Sequence, residues 1–107
     1  MMDLSHVARS YFEADTDRDF SAVEAVFASD SSVTDEGRHH RGIDAIRNWW
    51  TAAKAKYRHV AVPLETAISG NEVWVRAAVT GAFPGSPATL NYTFTVEAGK
   101  IAKLEIG

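Results

Sequence analysis

Asp35 is the residue best placed to do chemistry. It lies in the stretch DSSVTDEG at residues 30–37, where a short strand meets a turn at Glu36 and Gly37 just ahead of a segment rich in apolar side chains. A carboxylate at the rim of an apolar pocket has its charged form disfavoured, so its pKa climbs toward the range where it can take a proton and return it. Tyr11 and Tyr92 carry the hydroxyls that could hold a carbonyl oxygen nearby and stabilise an enolate, a role in which each donor contributes about 2–4 kcal/mol. Histidine offers a second acid–base group. His39 and His40 are adjacent, so on a strand they point to opposite faces and at most one reaches a cavity. An inward His40, or His59 in phase with Tyr57 and Ala61, would pair with Asp35 as an acid–base couple.

Each of these residues also has a plainer role open to it. Asp35 beside the turn could be solvated and accept backbone N–H bonds, Tyr11 and Tyr92 recur where core residues do, and the imidazoles could be exposed. The chemical role requires an oily interior, and Tyr11, Phe12, Trp50, Tyr92, Phe94 and Leu104 supply one. Of these, Phe12, Trp50, Phe94 and Leu104 are the expected contacts of an apolar small molecule. Ala8, Ala14, Ala77 and Ala78 leave room for a cavity, expected at roughly 200–500 Å³.

The elements that must position these groups follow from periodicity. Leu4, Val7, Ala8, Tyr11, Phe12 and Ala14 recur at helical spacing after a cap at Ser5 or Asp3. Residues 15–19 read as a polar turn, and Phe20, Val23, Val26 and Phe27 form a second, shorter apolar stripe. Residues 31–34 and 38–41 read as short strands about the turn, and Gly42 releases a helix from 43 to about 54 whose inner face is Ile43, Ile46, Trp50 and Ala53, with Trp49 flanking it. From there the period changes to two, predicting strands at 57–66, 72–83, 88–96 and 101–106 joined by tight connections, an antiparallel meander. The PGSP segment at 84–87 is either a rigid turn or part of a cavity mouth. Helices followed by a curved antiparallel sheet is an α+β arrangement with helices over one sheet face. The other face carries Trp74 and threonines rather than a row of charges, which reads as the contact of a homodimer or, more plainly, as an amphipathic outer face with one partly exposed tryptophan.

Composition removes several classes of function. At 107 residues with 46% hydrophobic and 23% charged side chains, the chain is a single ordinary globular domain. Eleven basic against fourteen acidic residues give a net charge of −3 with no basic stripe, which argues against nucleic acid. Arg38, Arg41 and Arg76 could attract an acidic ligand or simply be solvated. Cysteine is absent, which removes thiol catalysis and thiolate metal sites. No histidine spacing of the HExxH kind and no GxGxxG or GxxxxGK cradle occurs, so the expected chemistry needs neither metal nor cofactor. With no apolar run near the ~20 residues a bilayer needs and no secretory leader, a cytoplasmic protein without membrane contact is expected.

Three segments carry a family resemblance: VFASDSSVTD at 26–35, RGIDAIRNWW at 41–50 and FTVEAGKI at 94–101. With the element order, they resemble the cone-shaped α+β fold of the nuclear transport factor 2-like superfamily, and more narrowly its SnoaL-like and ketosteroid-isomerase-like members. The resemblance implies a general-base role for Asp35 and an oxyanion-donor role for Tyr11. The isomerases place a second donor, a protonated aspartic acid, on a central strand; Asn91, Tyr92 and Thr93 stand there instead. The resemblance thus implies a cofactor-independent isomerase, cyclase or dehydratase acting by proton transfer on a hydrophobic carbonyl compound. The alternative is a non-catalytic small-molecule-binding or dimeric accessory domain on the same scaffold.

Overall fold

A computed structural model describes residues 4–107. Helix α1 (Leu4–Thr16) buries Val7, Ala8, Tyr11, Phe12 and Ala14 along one stripe, as their spacing dictates. Ser5 lies within its first turn, and Asp3, the other expected cap, falls outside the described residues. Helix α2 (Phe20–Val26) is capped by Asp19, whose carboxylate accepts from the Ala22 N–H at 3.4 Å. It passes directly into strand β1 (Phe27–Asp35), so that strand begins earlier than the polarity of Asp30, Ser31 and Ser32 suggests. Glu36 and Gly37 take positive φ (53° and 74°) and turn the chain into β2 (Arg38–Arg41).

Helix α3 (Ile43–Tyr57) runs a turn further than expected and ends on Arg58 in the left-handed conformation. Tyr57 is therefore a helical residue, and its expected strand phase with His59 and Ala61 does not exist. Strands β3 (Val60–Ser69), β4 (Glu72–Thr80), β5 (Ala88–Glu97) and β6 (Lys100–Ile106) form the antiparallel meander. Strand β4 stops at Thr80 instead of reaching Phe83, because the chain turns there to meet the end of α3. The Ala82 N–H donates to the Tyr57 carbonyl at 2.7 Å.

The six strands form one mixed sheet in the order β2-β1-β6-β5-β4-β3. The purely antiparallel expectation fails at one place, where β1 lies parallel to β6 with Val33 opposite Leu104 and Asp35 opposite Ile106. Nothing in local periodicity encodes that long-range pairing. The helices cover one face, where Val33, Val73, Ala77, Phe94, Ile101 and Leu104 are fully enclosed with Val23 and Ile46. This is the α+β architecture expected. No helix among the described residues is long and apolar enough to cross a membrane.

Candidate active site

A cavity of about 350 Å³ opens between the helices and the sheet. Three elements supply its aromatic wall. Trp49, Ala53 and Tyr57 are four residues apart on α3 and so share one helix face. Leu90 and Tyr92 alternate inward on β5, Tyr11 comes from α1, and Phe83 and Pro84 of the β4–β5 connection complete the rim. Asp35, Glu36 and His59 are the ionisable groups of the acid–base kind in that lining.

Asp35 ends β1, where the strand must hand over to the turn, and this puts its carboxylate at the cavity wall. The Trp49 indole Nε1–H donates to its Oδ2 at 3.0 Å. Burial raises its pKa above the ordinary 3.8, the neighbouring Glu36 carboxylate adds to the rise, and the Trp49 bond opposes it. Asp35 is thus a half-buried, poised carboxyl group rather than a freely solvated turn residue. Glu36 is tied back across the rim, accepting from the Tyr57 hydroxyl at 3.1 Å.

Tyr11 and Tyr92 are both buried, their rings 6.5 Å apart. Burial pushes both phenols up, so both remain neutral hydrogen-bond donors across the physiological range. Phe12 and Phe94 stand behind them: Phe12 meets Tyr92 edge-on at 4.9 Å, and Phe94 meets Tyr11 at 5.5 Å. These contacts correct the expectation for the apolar residues. Phe12, Trp50, Phe94 and Leu104 do not line the cavity; they are core residues that fix the tyrosines and the helices. The expected inner face of α3 is otherwise found: Ile46 and Trp50 are buried, Ile43 packs against the core and Ala53 lines the cavity, where Trp49, expected to flank that face, joins it.

The histidines separate. His59 lies in the short link between α3 and β3 and lines the cavity. His40 does not: on β2 it pairs with Val33 of β1, and its ring packs 6.1 Å from the Trp49 indole, outside the lining. His39 is exposed and sits 3.1 Å from the Thr34 hydroxyl. Burial lowers the His59 pKa below 6.5, and the Lys54 ammonium lowers it further, while Asp15 and Asp35 pull it back up.

Asp15 and Lys54 were missed altogether. Asp15 belongs to the last turn of α1, not to a polar loop, and is 2% exposed. It accepts from Trp50 Nε1 at 2.8 Å and from Lys54 Nζ at 3.0 Å. One signal was available in the sequence: Asp15 continues the helical stripe Ala8, Tyr11, Phe12. Among the described residues, no group of three or more His, Asp or Glu side chains is gathered as a metal site.

This geometry has relatives. A SnoaL-like domain model matches residues 8–104. A candidate polyketide cyclase from Sinorhizobium meliloti is 45% identical, covering 99% of this chain and 100% of its own, with a TM-score of 0.94. Another candidate polyketide cyclase, from Xanthomonas campestris, is 19% identical over 96% of this chain and 87% of its own, with a TM-score of 0.84. A protein of ketosteroid isomerase-like fold from Catenulispora acidiphila, solved with trimethylamine, is 18% identical over 94% of this chain and 83% of its own, with a TM-score of 0.82. Among curated proteins, none matches the chain. With a matched span running from α1 to β6 and with helices over one face of a six-stranded mixed sheet, the chain belongs to the SnoaL-like domain family.

Proposed function

We propose that this protein is an enzyme of the isomerase or cyclase type that moves a proton on an apolar carbonyl compound, with Asp35 as the base. One observation carries this: a half-buried, indole-bonded carboxylate on the wall of a 350 Å³ cavity that also presents two neutral tyrosines. Asp35 takes a proton from the carbon next to a carbonyl, and the C–H electron pair moves into an enolate. Tyr11 and Tyr92 donate to the enolate oxygen. Asp35 then returns the proton to a different carbon or, where the enolate closes a ring on a second carbonyl, to the new alkoxide. No outside reactant is required, and His59 is a further group on that wall able to carry a proton. The name of the 45% identical relative supports the cyclase form.

A binding role without catalysis is favoured by one feature. Tyr92 and its neighbours stand where the isomerases carry a second acid, so the strongest oxyanion donor of that chemistry is absent. Deuterium exchange separates the two. A neutral cyclic ketone or 1,3-diketone incubated with the protein in D₂O should exchange its α-protons faster than in buffer, as read by NMR. Asp35→Asn should abolish the acceleration while the compound still perturbs cavity resonances. Binding without any enzyme-dependent exchange across a panel of such ketones would establish the non-catalytic role instead.

A further inference from the structure

We propose that the buried ion pair of Asp15 and Lys54 is a positioning device for His59, holding the imidazole at the cavity wall with its Nε2–H turned to Asp15 and Nδ1 left to accept a proton. What Nδ1 then does rests on the proton-transfer function; the placement of the ring does not.

The pair is an unusual thing for so small a domain to bury. Asp15 is 2% and Lys54 7% exposed, and an apolar pair of similar volume commonly stabilises a fold as well or better, so stability alone is a weak reason for it. Its geometry supplies a stronger one. Lys54 Nζ donates both to Asp15 Oδ2 at 3.0 Å and to the backbone carbonyl of His59 at 2.8 Å. One ammonium therefore ties the end of α1, the last turn of α3 and the residue that enters β3. Asp15 is itself held from a second side by the Trp50 indole at 2.8 Å. Its Oδ1 lies 3.9 Å from His59 Nε2, too long for a hydrogen bond but close enough for the carboxylate field to favour the N–H on that nitrogen.

The charges around the ring come from every element packed on it. Lys54 approaches from α3, Asp15 from α1, Asp35 from the end of β1 and Arg18 from the turn after α1. Glu36 faces the same cavity. Burial and Lys54 together favour the neutral ring, and Asp15 sets its orientation.

The ring can be read directly by imidazole nitrogen NMR in the ligand-free protein, with His59→Gln identifying its signals among the four histidines. The unmodified protein should show a single neutral tautomer with the proton on Nε2, and a titration below the ordinary 6.5. Lys54→Met should move that titration upward and Asp15→Asn downward, as loss of either charge demands, and both should mix the tautomers, which a merely structural pair would not do. A His59 titrating at its ordinary value with mixed tautomers would overturn the proposal, as would two variants that shift it the same way or not at all. Should either variant fail to fold, the tautomer and titration of the unmodified protein decide alone. Because none of these readouts needs a substrate, an inert cavity in the deuterium experiment would leave this result standing.

Discussion

Replacing Asp35 by asparagine keeps an acceptor for the Trp49 indole and removes a charge that burial disfavours, so the variant should lose activity and gain stability. Removal of a general base costs about 10²–10⁴-fold in rate, which proton exchange would measure. The stability gain has a defined pH dependence. Between 3.8 and the raised native value, folded Asp35 binds more protons than the unfolded chain, so its contribution is present at low pH and is lost as pH rises through the native pKa. The gap in melting temperature between Asp35→Asn and the unmodified protein should therefore widen from acid toward neutrality. A gap that is flat with pH would mean the carboxylate is solvated. His59 acts in the opposite sense: its lowered native pKa gives stability that is present above 6.5 and is lost as pH falls through the native value. Trp49→Phe tests the same site from the other side, since loss of the indole N–H should drive the Asp35 pKa higher still, as carboxyl carbon NMR would record.

At the scale of elements, the site depends on where α3 ends. Gly81 lets β4 pass against that end: a Cβ there would sit 2.7 Å from the Tyr57 carbonyl oxygen and 3.0 Å from His59 Cα, both backbone atoms. Gly81→Ala should destabilise the fold by about 1–3 kcal/mol, visible in urea denaturation, and should displace Tyr57 and His59 at the cavity. The ion pair beneath them predicts a cycle. Either Asp15→Leu or Lys54→Met alone should cost about 3–5 kcal/mol by stranding a buried charge, while the double variant should recover most of that loss. Much of this layer was legible in the sequence. The helical stripe of α1, the turn at Gly37 and the alternation on β4 and β5 each follow from a local period, and the cavity positions of Asp35, Tyr11 and Tyr92 follow from the same periods, whereas His59 lines the cavity from the link after α3 and not through the strand phase expected of it. What was not legible depends on distant partners. The β1–β6 pairing, the burial of Lys54 and the inward turn of Trp49 are each decided by a segment far along the chain, and a residue's own polarity misleads there.

At the scale of the whole molecule, the outer face of the sheet is the part of the surface that the helices leave uncovered. On β4, Val73, Val75 and Ala77 face the helices, so Trp74 and Arg76 face away, opposite Ala67 and Glu65 on β3. Val62, Leu64 and Trp74 are 54%, 52% and 49% exposed, and the Trp74 indole N–H is bonded to Glu72 at 3.1 Å, which leaves its ring surface uncovered. Arg76 and Glu65 form an ion pair among them, and Thr89, Thr93 and Thr95 extend the face over β5 without adding charge. A patch of exposed aliphatic and indole surface with a neutralised centre suits a second copy of itself, because a two-fold axis brings the same residues together from both sides. We propose a homodimer through this face, of the order of 800 Å² from each partner if it is to be stable at micromolar concentration. Trp74→Glu should then dissociate it, since a central tryptophan commonly contributes 2 kcal/mol or more, roughly thirty-fold in affinity. Sedimentation of the unmodified protein as a dimer and of Trp74→Glu as a folded monomer is the expected outcome, with Asp35 titrating alike in both because the cavity lies on the other side of the sheet. A monomer at every concentration would mean that this face meets only water, and the catalytic proposal would be unaffected.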